Sequence, residues 1–320
     1  MPQQRPFTQI DVFTARPYLG NPLAVVLDGT GLSDAAMQDF ARWTNLSETT
    51  FVLPPTPAAA AAGADYQVRI FTPAGELPFA GHPTLGTCHA WLEHGGVPRA
   101  SRGGTDAAAL IVQECPVGLV QIRRSGKRLA FAAPALKRSN PSPVLLAQVA
   151  AALGLQARHI VAAQQLNNGA TCLGLLLDSQ QTVLQLKPDP RALQGLVPGV
   201  GVAHVEYGDD ASNLIARSNR EARAFGARSS ASPTPPQAEP SVEVRFFSTD
   251  LGATEDPVTG SFNASLAQWL IADGHAPAHY VAAQGTCIGR EGRVYIDQDA
   301  AGQVWVGGDA VSCIRGEVLL

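Results

Sequence analysis

Lysine is nearly absent from this chain of 320 residues: Lys127, Lys137 and Lys187 are the whole set. A Schiff-base enzyme needs a lysine held in a pocket. None of the three lies in a Gly-rich pocket motif, so pyridoxal phosphate is not expected. The five cysteines, Cys88, Cys115, Cys172, Cys287 and Cys313, are odd in number and far apart, with no Cys-x-x-Cys. They read as buried thiols in a reducing compartment. No apolar run approaches the roughly 18 residues of a membrane span, and the opening MPQQRPFTQIDVF has no signal-peptide core. A cytoplasmic protein without membrane contact is the expectation. With 23 Lys+Arg against 27 Asp+Glu, the balance does not suit a protein that holds nucleic acid by charge. Also missing are a Gly-x-Gly-x-x-Gly after a strand, a phosphate loop ending in Gly-Lys-Ser/Thr and a Gly-x-Ser-x-Gly elbow. His275 and His279 are four apart, but Pro277 between them argues against a metal-binding helix face. His89 and His94 lack a third ligand within reach. A site working without metal or cofactor is therefore expected.

What is present is enough apolar sequence, 45%, for real cores, in a length that suits two domains or one large one. The chain also repeats itself. Val68-Arg69-x-Phe71 returns as Val244-Arg245-x-Phe247, and Trp91-Leu92 returns as Trp269-Leu270. The spacing slips by two residues in the loop between. A weaker echo links Leu23–Asp28 to Leu173–Asp178. Each repeat runs from an alternating strand through a Gly/Pro loop to an apolar helix, about Thr84 to Glu93 and Asn263 to Ala272. A helix apolar on all sides is usually buried. The pattern suggests halves that each wrap a curled sheet round a central helix, although an ordinary α/β layer would read alike.

Strands are expected at 7–13, 23–28, 49–53, 66–72, 109–113, 119–123, 171–177, 242–248, 293–297 and 303–306. Helices are expected from the cap Ser33 to about Thr44 and over 143–153. Two stretches read as unstructured: the alanine-rich Pro54–Gly63 and the Pro/Ser-rich Arg228–Ser241.

Four places could carry chemistry. In Asn45-Leu46-Ser47-Glu48-Thr49, a carboxylate sits where a helix hands over to a strand. Burial there would lift its pKa toward neutrality and make it an acid/base, whereas position alone favours a solvated loop glutamate. In Phe79-Ala80-Gly81-His82-Pro83-Thr84, Gly81 permits close approach and the helix start offers free N–H groups to an anion. His82 could move a proton or simply satisfy the turn. In Glu255-Asp256-Pro257-Val258-Thr259-Gly260-Ser261, Asp256 could accept from a substrate hydroxyl or amine. Read singly, however, Asp256 or Ser261 is better taken as a cap of its own helix. The fourth place is Gln284-Gly285 with Gly289-Arg290, a tight connection whose arginine could meet a carboxylate or solvent. If the halves are pseudo-symmetric, two helix N-termini can face one cleft, which suits a small carboxylate.

These motifs, with Gly20-Asn21-Pro22 and Phe71-Thr72-Pro73, resemble those of the phenazine-biosynthesis PhzF-like family, in family order and over most of the chain. The resemblance implies an α+β, diaminopimelate epimerase-like fold of two similar domains, here 1–130 and 131–320, with the last strand free to return to the first. It implies a homodimer without cofactor that isomerises trans-2,3-dihydro-3-hydroxyanthranilate or a similar small cyclic carboxylate. Glu48 would be the catalytic acid/base, and Gly81, His82, Asp256 and Ser261 would bind substrate. The alternatives are an epimerase of an amino-acid-like substrate and a binding protein without turnover. A racemase using two thiols is disfavoured, because no cysteine precedes either central helix. The stretches near 57–63 and 228–241 look like insertions in the family pattern.

Overall fold

A computed structural model describes residues 2–100, 110–206, 239–249 and 254–320. The first half runs β1 (Gln4–Val12), β2 (Asn21–Val26), α1 (Asp34–Thr44), β3 (Glu48–Leu53), α2 (Pro57–Ala61), β4 (Tyr66–Phe71), β5 (Glu76–Leu77), α3 (Gly81–Glu93), β6 (Ile111–Cys115), β7 (Gly118–Ser125) and β8 (Arg128–Ala132). The second runs β9 (Lys137–Ser139), α4 (Pro143–Ala152), β10 (Ile160–Asn167), β11 (Thr171–Leu177), α5 (Gln180–Gln185), α6 (Pro190–Leu193), β12 (Gly199–Val205), β13 (Val242–Ser248), β14 (Thr254–Glu255), α7 (Gly260–Ala272), β15 (His279–Gln284), β16 (Gly292–Gln298), β17 (Val304–Gly308) and β18 (Ala310–Leu319).

Strand pairing follows one rule in both halves. In the first, β1–β2 is antiparallel, β2–β3 parallel, β3–β4 antiparallel, β4–β6 parallel, and β6–β7–β8 antiparallel. The second repeats this as β10–β11, β11–β12, β12–β13, β13–β15 and β15–β16–β17. The chain leaving the last strand of each half then adds an edge strand to the sheet of the other. The residues after β8 form β9, which pairs with β10, and those after β17 form β18, which pairs with β1. A β8–β17 pairing closes the seam. The fold is α+β, and the echo of Leu23–Asp28 in Leu173–Asp178 covers the equivalent strands β2 and β11.

The central helices are buried because almost every side they present is apolar or small. Helix α3 is enclosed by β1, β2, β3, β4, β8, β17 and β18, and α7 lies against β10, β16, β17 and α3 itself. Both begin about three residues earlier than their apolar pattern suggests, at Gly81 and Gly260. Pro83 does not delay α3, because a proline in the first turn removes an N–H that has no intrahelical acceptor.

The Val-Arg-x-Phe repeat has a structural reason. Arg69 on β4 grips Glu76 with two hydrogen bonds, at 2.8 and 2.6 Å. Arg245 on β13 grips Glu255 in the same way, at 3.1 and 2.8 Å. Each guanidinium lies 5.0 Å from the ring two residues on, Phe71 or Phe247. Their surroundings differ. The Arg245 side chain is 6% exposed and also donates to the carbonyls of Val183 and Leu186 at 3.0 Å, whereas Arg69 is 22% exposed and reaches Asp34. Removing one partner of a buried pair strands the other charge. Arg245→Ala is therefore expected to cost about 3–5 kcal/mol in denaturant unfolding, and Arg69→Ala about 1 kcal/mol. Equal losses would show that burial does not separate the two pairs.

Some expectations need correction. Pro54–Gly63 is not structureless: Thr56 caps α2 by accepting from Ala59 N at 3.2 Å, and alanines after a first-turn proline propagate it. Three cysteines are buried, but Cys287 is exposed and Cys313 half-buried; all five are free thiols. Ser33 caps α1 and Asn45 ends it in a left-handed conformation, φ 54°. Of the Pro/Ser-rich stretch, residues 228–238 lie outside the described residues. Among the described residues no helix is long and apolar enough to cross a membrane.

Candidate active site

The two central helices meet end to end. A Cβ built on Gly81 would lie 2.8 Å from the Gly260 carbonyl carbon, and one on Gly260 would lie 3.0 Å from Gly81 Cα and His82 N. Only glycine at both positions allows this backbone-to-backbone approach. Neither helix has a side-chain cap. The earliest helical N–H bonds to a carbonyl of the same helix come from Thr84 to Ala80 and from Asn263 to Thr259. The N–H groups ahead of them form two adjoining positive ends, suited to a carboxylate. The reading of Asp256 or Ser261 as a cap of α7 is thus not what forms: Thr259 occupies the N-cap and its hydroxyl serves Asp256 instead.

Around this contact the structure brings together Glu48, His82 and Asp256. Glu48 opens β3 opposite Leu23 of β2, and its side chain is 16% exposed, with Oε2 3.5 Å from His82 Nδ1. That oxygen is buried without a hydrogen bond. Burial raises the Glu48 pKa to about 7, with the neighbouring Ser47 pulling the other way. His82, in the first turn of α3, is 3% exposed, and its Nε2 has no partner. Burial drives its pKa down to about 4 despite the opposing pull of Asp256, so the ring is neutral at pH 7. Asp256, in the loop between β14 and α7, is raised to about 6, first by burial and then by the Glu48 charge.

Asp256 is held by a hydrogen-bonded chain from the second half. Gln284, fully buried at the end of β15, donates to Thr259 Oγ1 at 3.0 Å and to the Asp256 carbonyl at 3.1 Å. Thr259 Oγ1 then donates to Asp256 Oδ2 at 2.6 Å. From the first half, Asn21 Nδ2 donates to Asp256 Oδ1 and to the Val258 carbonyl, both at 2.9 Å. Ser261 lies in the first turn of α7; its carbonyl accepts from Asn168 at 2.8 Å. Its hydroxyl makes no hydrogen bond to Glu48, His82 or Asp256. Gly81 is the point of helix contact. Arg290 donates to the Tyr18 carbonyl at 2.7 Å, bracing the loop before β2.

Asn21, Ser47, Thr259 and Gln284 carry this arrangement, yet sequence reasoning assigned no role to any of them. A signal was there for two. Asn21 and Gln284 stand at the start and end of otherwise apolar strands, where a buried amide must find partners. Among the described residues no group of three or more His, Cys, Asp and Glu side chains is placed to hold a metal ion.

Two lobes, each a curled sheet round a buried helix, with their helix ends in contact, make a diaminopimelate epimerase-like fold. Residues 10–316 match the family model described as phenazine biosynthesis-like protein, PhzC-PhzF, and the chain belongs to that family. It is 31% identical over 325 residues to the trans-2,3-dihydro-3-hydroxyanthranilate isomerase of Pseudomonas aeruginosa, covering 98% of this chain and 99% of that protein. It is also 31% identical to Antisense-enhancing sequence 1 of Schizosaccharomyces pombe, covering 97% of each. Among solved structures, a predicted epimerase from Pseudomonas aeruginosa superposes with a TM-score of 0.72 at 26% identity, covering 99% of both chains. A probable proline racemase from Agrobacterium radiobacter shares the fold alone, with a TM-score of 0.59 at 13% identity over 99% of this chain and 93% of that one.

Proposed function

We propose that this protein is a cofactor-independent isomerase that moves a proton between carbons of a small unsaturated cyclic carboxylate, with Glu48 as its acid/base. The observation that carries the reading is the free, desolvated Glu48 Oε2 beside two uncapped helix ends. A carboxyl with a pKa of about 7 is matched to both taking and returning a proton near neutrality. Removing a proton from carbon leaves charge that must be delocalised. A conjugated substrate carboxylate, seated on the N–H groups of α3 and α7, would receive it in a site of fixed dipoles. One carboxyl can then return the proton to a second carbon on the same face. Asp256 would accept from a substrate hydroxyl or amine, neutral His82 would bond through Nε2, Ser261 would bind beside them, and Gly81 would keep the helix ends together. The kinship to the Pseudomonas aeruginosa isomerase makes trans-2,3-dihydro-3-hydroxyanthranilate the first compound to test.

The test is a thermal-shift screen of small cyclic carboxylates, followed by NMR of hits in deuterated water. Ligand-dependent deuterium entry with a shifted double bond is expected. Binding without exchange for every hit would leave a binding protein instead. A second reading has a specific basis, since Glu48 and Asp256 both have raised pKa values and come from opposite lobes. Two opposed acid/bases suit an epimerase, and exchange at one stereocentre with inversion would favour it. A cytoplasmic homodimer, implied by the family resemblance, belongs to the same proposal; light scattering checks the oligomeric state.

A further inference from the structure

Asn21 is fully buried, and its amide has one orientation that satisfies all its neighbours. The nitrogen end faces two acceptors, Asp256 Oδ1 and the Val258 carbonyl. The oxygen end faces a donor, the Ser47 hydroxyl, at 3.2 Å. Ser47 immediately precedes Glu48, so a single side chain ties the segments bearing the two carboxyls. We propose that Asn21 is a positioning residue that fixes the order in which this pair loses its protons, keeping Asp256 ionised and leaving the last proton on Glu48.

The argument is one of donors and acceptors. An amide NH2 can only donate, so Asp256 Oδ1 must present a lone pair. The Thr259 hydroxyl receives from Gln284 and so turns its own hydrogen to Asp256 Oδ2. Both oxygens of Asp256 therefore accept, which favours its charged form. Glu48 has Ser47 beside it and an oxygen with no partner. When two buried carboxyls repel, the less supported one holds the proton longer and is the stronger base once it is lost. That places the stronger base on the buried oxygen left without a hydrogen bond.

Asn21 is fixed from behind. Gly20 N donates to Asp11 Oδ2 at 3.0 Å, and a Cβ on Gly20 would lie 2.2 Å from the Val12 carbonyl. Across the lobes, Arg290 and Glu291 N donate to the carbonyls of Tyr18 and Leu19, both at 2.7 Å. The titratable or charged groups facing the pair are His82 from α3 and, behind it, Asp11 from β1, which Arg290 faces in turn.

The experiment is a pH titration of the carboxyl carbons of Glu48 and Asp256 by NMR, in protein labelled with carbon-13 at Asp and Glu. Wild type is expected to ionise Asp256 first. Asn21→Ala is expected to raise the proton affinity of Asp256 about tenfold and lower that of Glu48, merging or reversing the two titrations. A folded Asn21→Ala protein that has lost thermal stability but keeps the wild-type order overturns the proposal, because that is what a purely structural role would give. If Asn21→Ala does not fold, Thr259→Val decides, since it removes the other donor to Asp256. A rise in Asp256 proton affinity supports the proposal, and an unchanged titration overturns it. The proposal rests on the isomerase reading only for its consequence in turnover. A reversed order without any substrate exchange would count against that reading and not against Asn21.

Discussion

Glu48→Gln is expected to lose substrate proton exchange by a factor on the order of 10²–10⁴ and to become more stable than wild type at pH 8. Both effects come from the same desolvated carboxyl. The amide keeps the size of the side chain but cannot take a proton from carbon. The stability gain follows from linkage. Glu48 has an ordinary value of 4.5 and a folded value of about 7, so the folded state holds its proton more tightly. Its contribution is fully present below pH 4.5 and is lost as pH rises through 7. At pH 8 wild type bears the cost of the buried charge and glutamine does not, a difference on the order of 2–3 kcal/mol, part of it shared with Asp256 through their repulsion. His82 works in the opposite sense. Its folded value is depressed from 6.5 to about 4, so its contribution is present above pH 6.5 and lost as pH falls through 4. The advantage of Glu48→Gln should therefore be large at pH 8 and small at pH 5, read by denaturant unfolding at the two pH values. A stability change independent of pH, or exchange at the wild-type rate, would remove Glu48 from its role.

The fold was legible where local pattern and packing agree. The strand of each Val-Arg-x-Phe repeat alternates, and the helix that follows is apolar all round, because each helix is enclosed on nearly every side, mostly by strands of its own lobe. Several strands were missed, and distance to the partner is not the common cause, since β8, β10 and β15 each pair with the preceding or the next strand of the chain. β18 pairs on one edge with β1 from the opposite end of the chain, and much of its face is exposed, so Ala310–Leu319 shows no apolar period. β12, Gly-Val-Gly-Val-Ala-His-Val, is buried at nearly every position and so lacks alternation. Glu48 shows the same limit at the site. Its local sequence favours a solvated loop; its burial is tertiary, against His82 of α3 and close to Asp256, which arrives more than 200 residues later and is tied back by Asn21. Gln284 announces a need for partners but not which they are, since its amide reaches Thr259, 25 residues away. Thr259 bonds Asp256 three residues before it, and what local reading misses there is that Asp256 is buried.

Gly81→Ala is expected to damage both stability and turnover, although it adds a single methyl group. The new Cβ would lie 2.8 Å from the Gly260 carbonyl carbon, 2.9 Å from Gly260 Cα and 2.8 Å from Phe131 Cζ. Two of these three contacts are backbone, so no rotamer change can relieve them and α7 must move away from α3. Overpacking of this kind costs about 1–3 kcal/mol. The larger effect falls on chemistry, because Asp256 and the N–H groups of α7 travel with that helix, away from Glu48 and His82. A displacement of about 1 Å in a reacting geometry can lower the rate about 100-fold. Gly95, just beyond the other end of α3, provides the comparison. It has φ 90° and no atom within 4 Å of a built Cβ, so Gly95→Ala should cost about 1 kcal/mol in backbone strain and leave exchange untouched. Thermal unfolding with exchange rates for both variants separates the cases. Equal exchange by Gly81→Ala and Gly95→Ala would mean that the meeting of the helix ends does not set the geometry of the reacting groups.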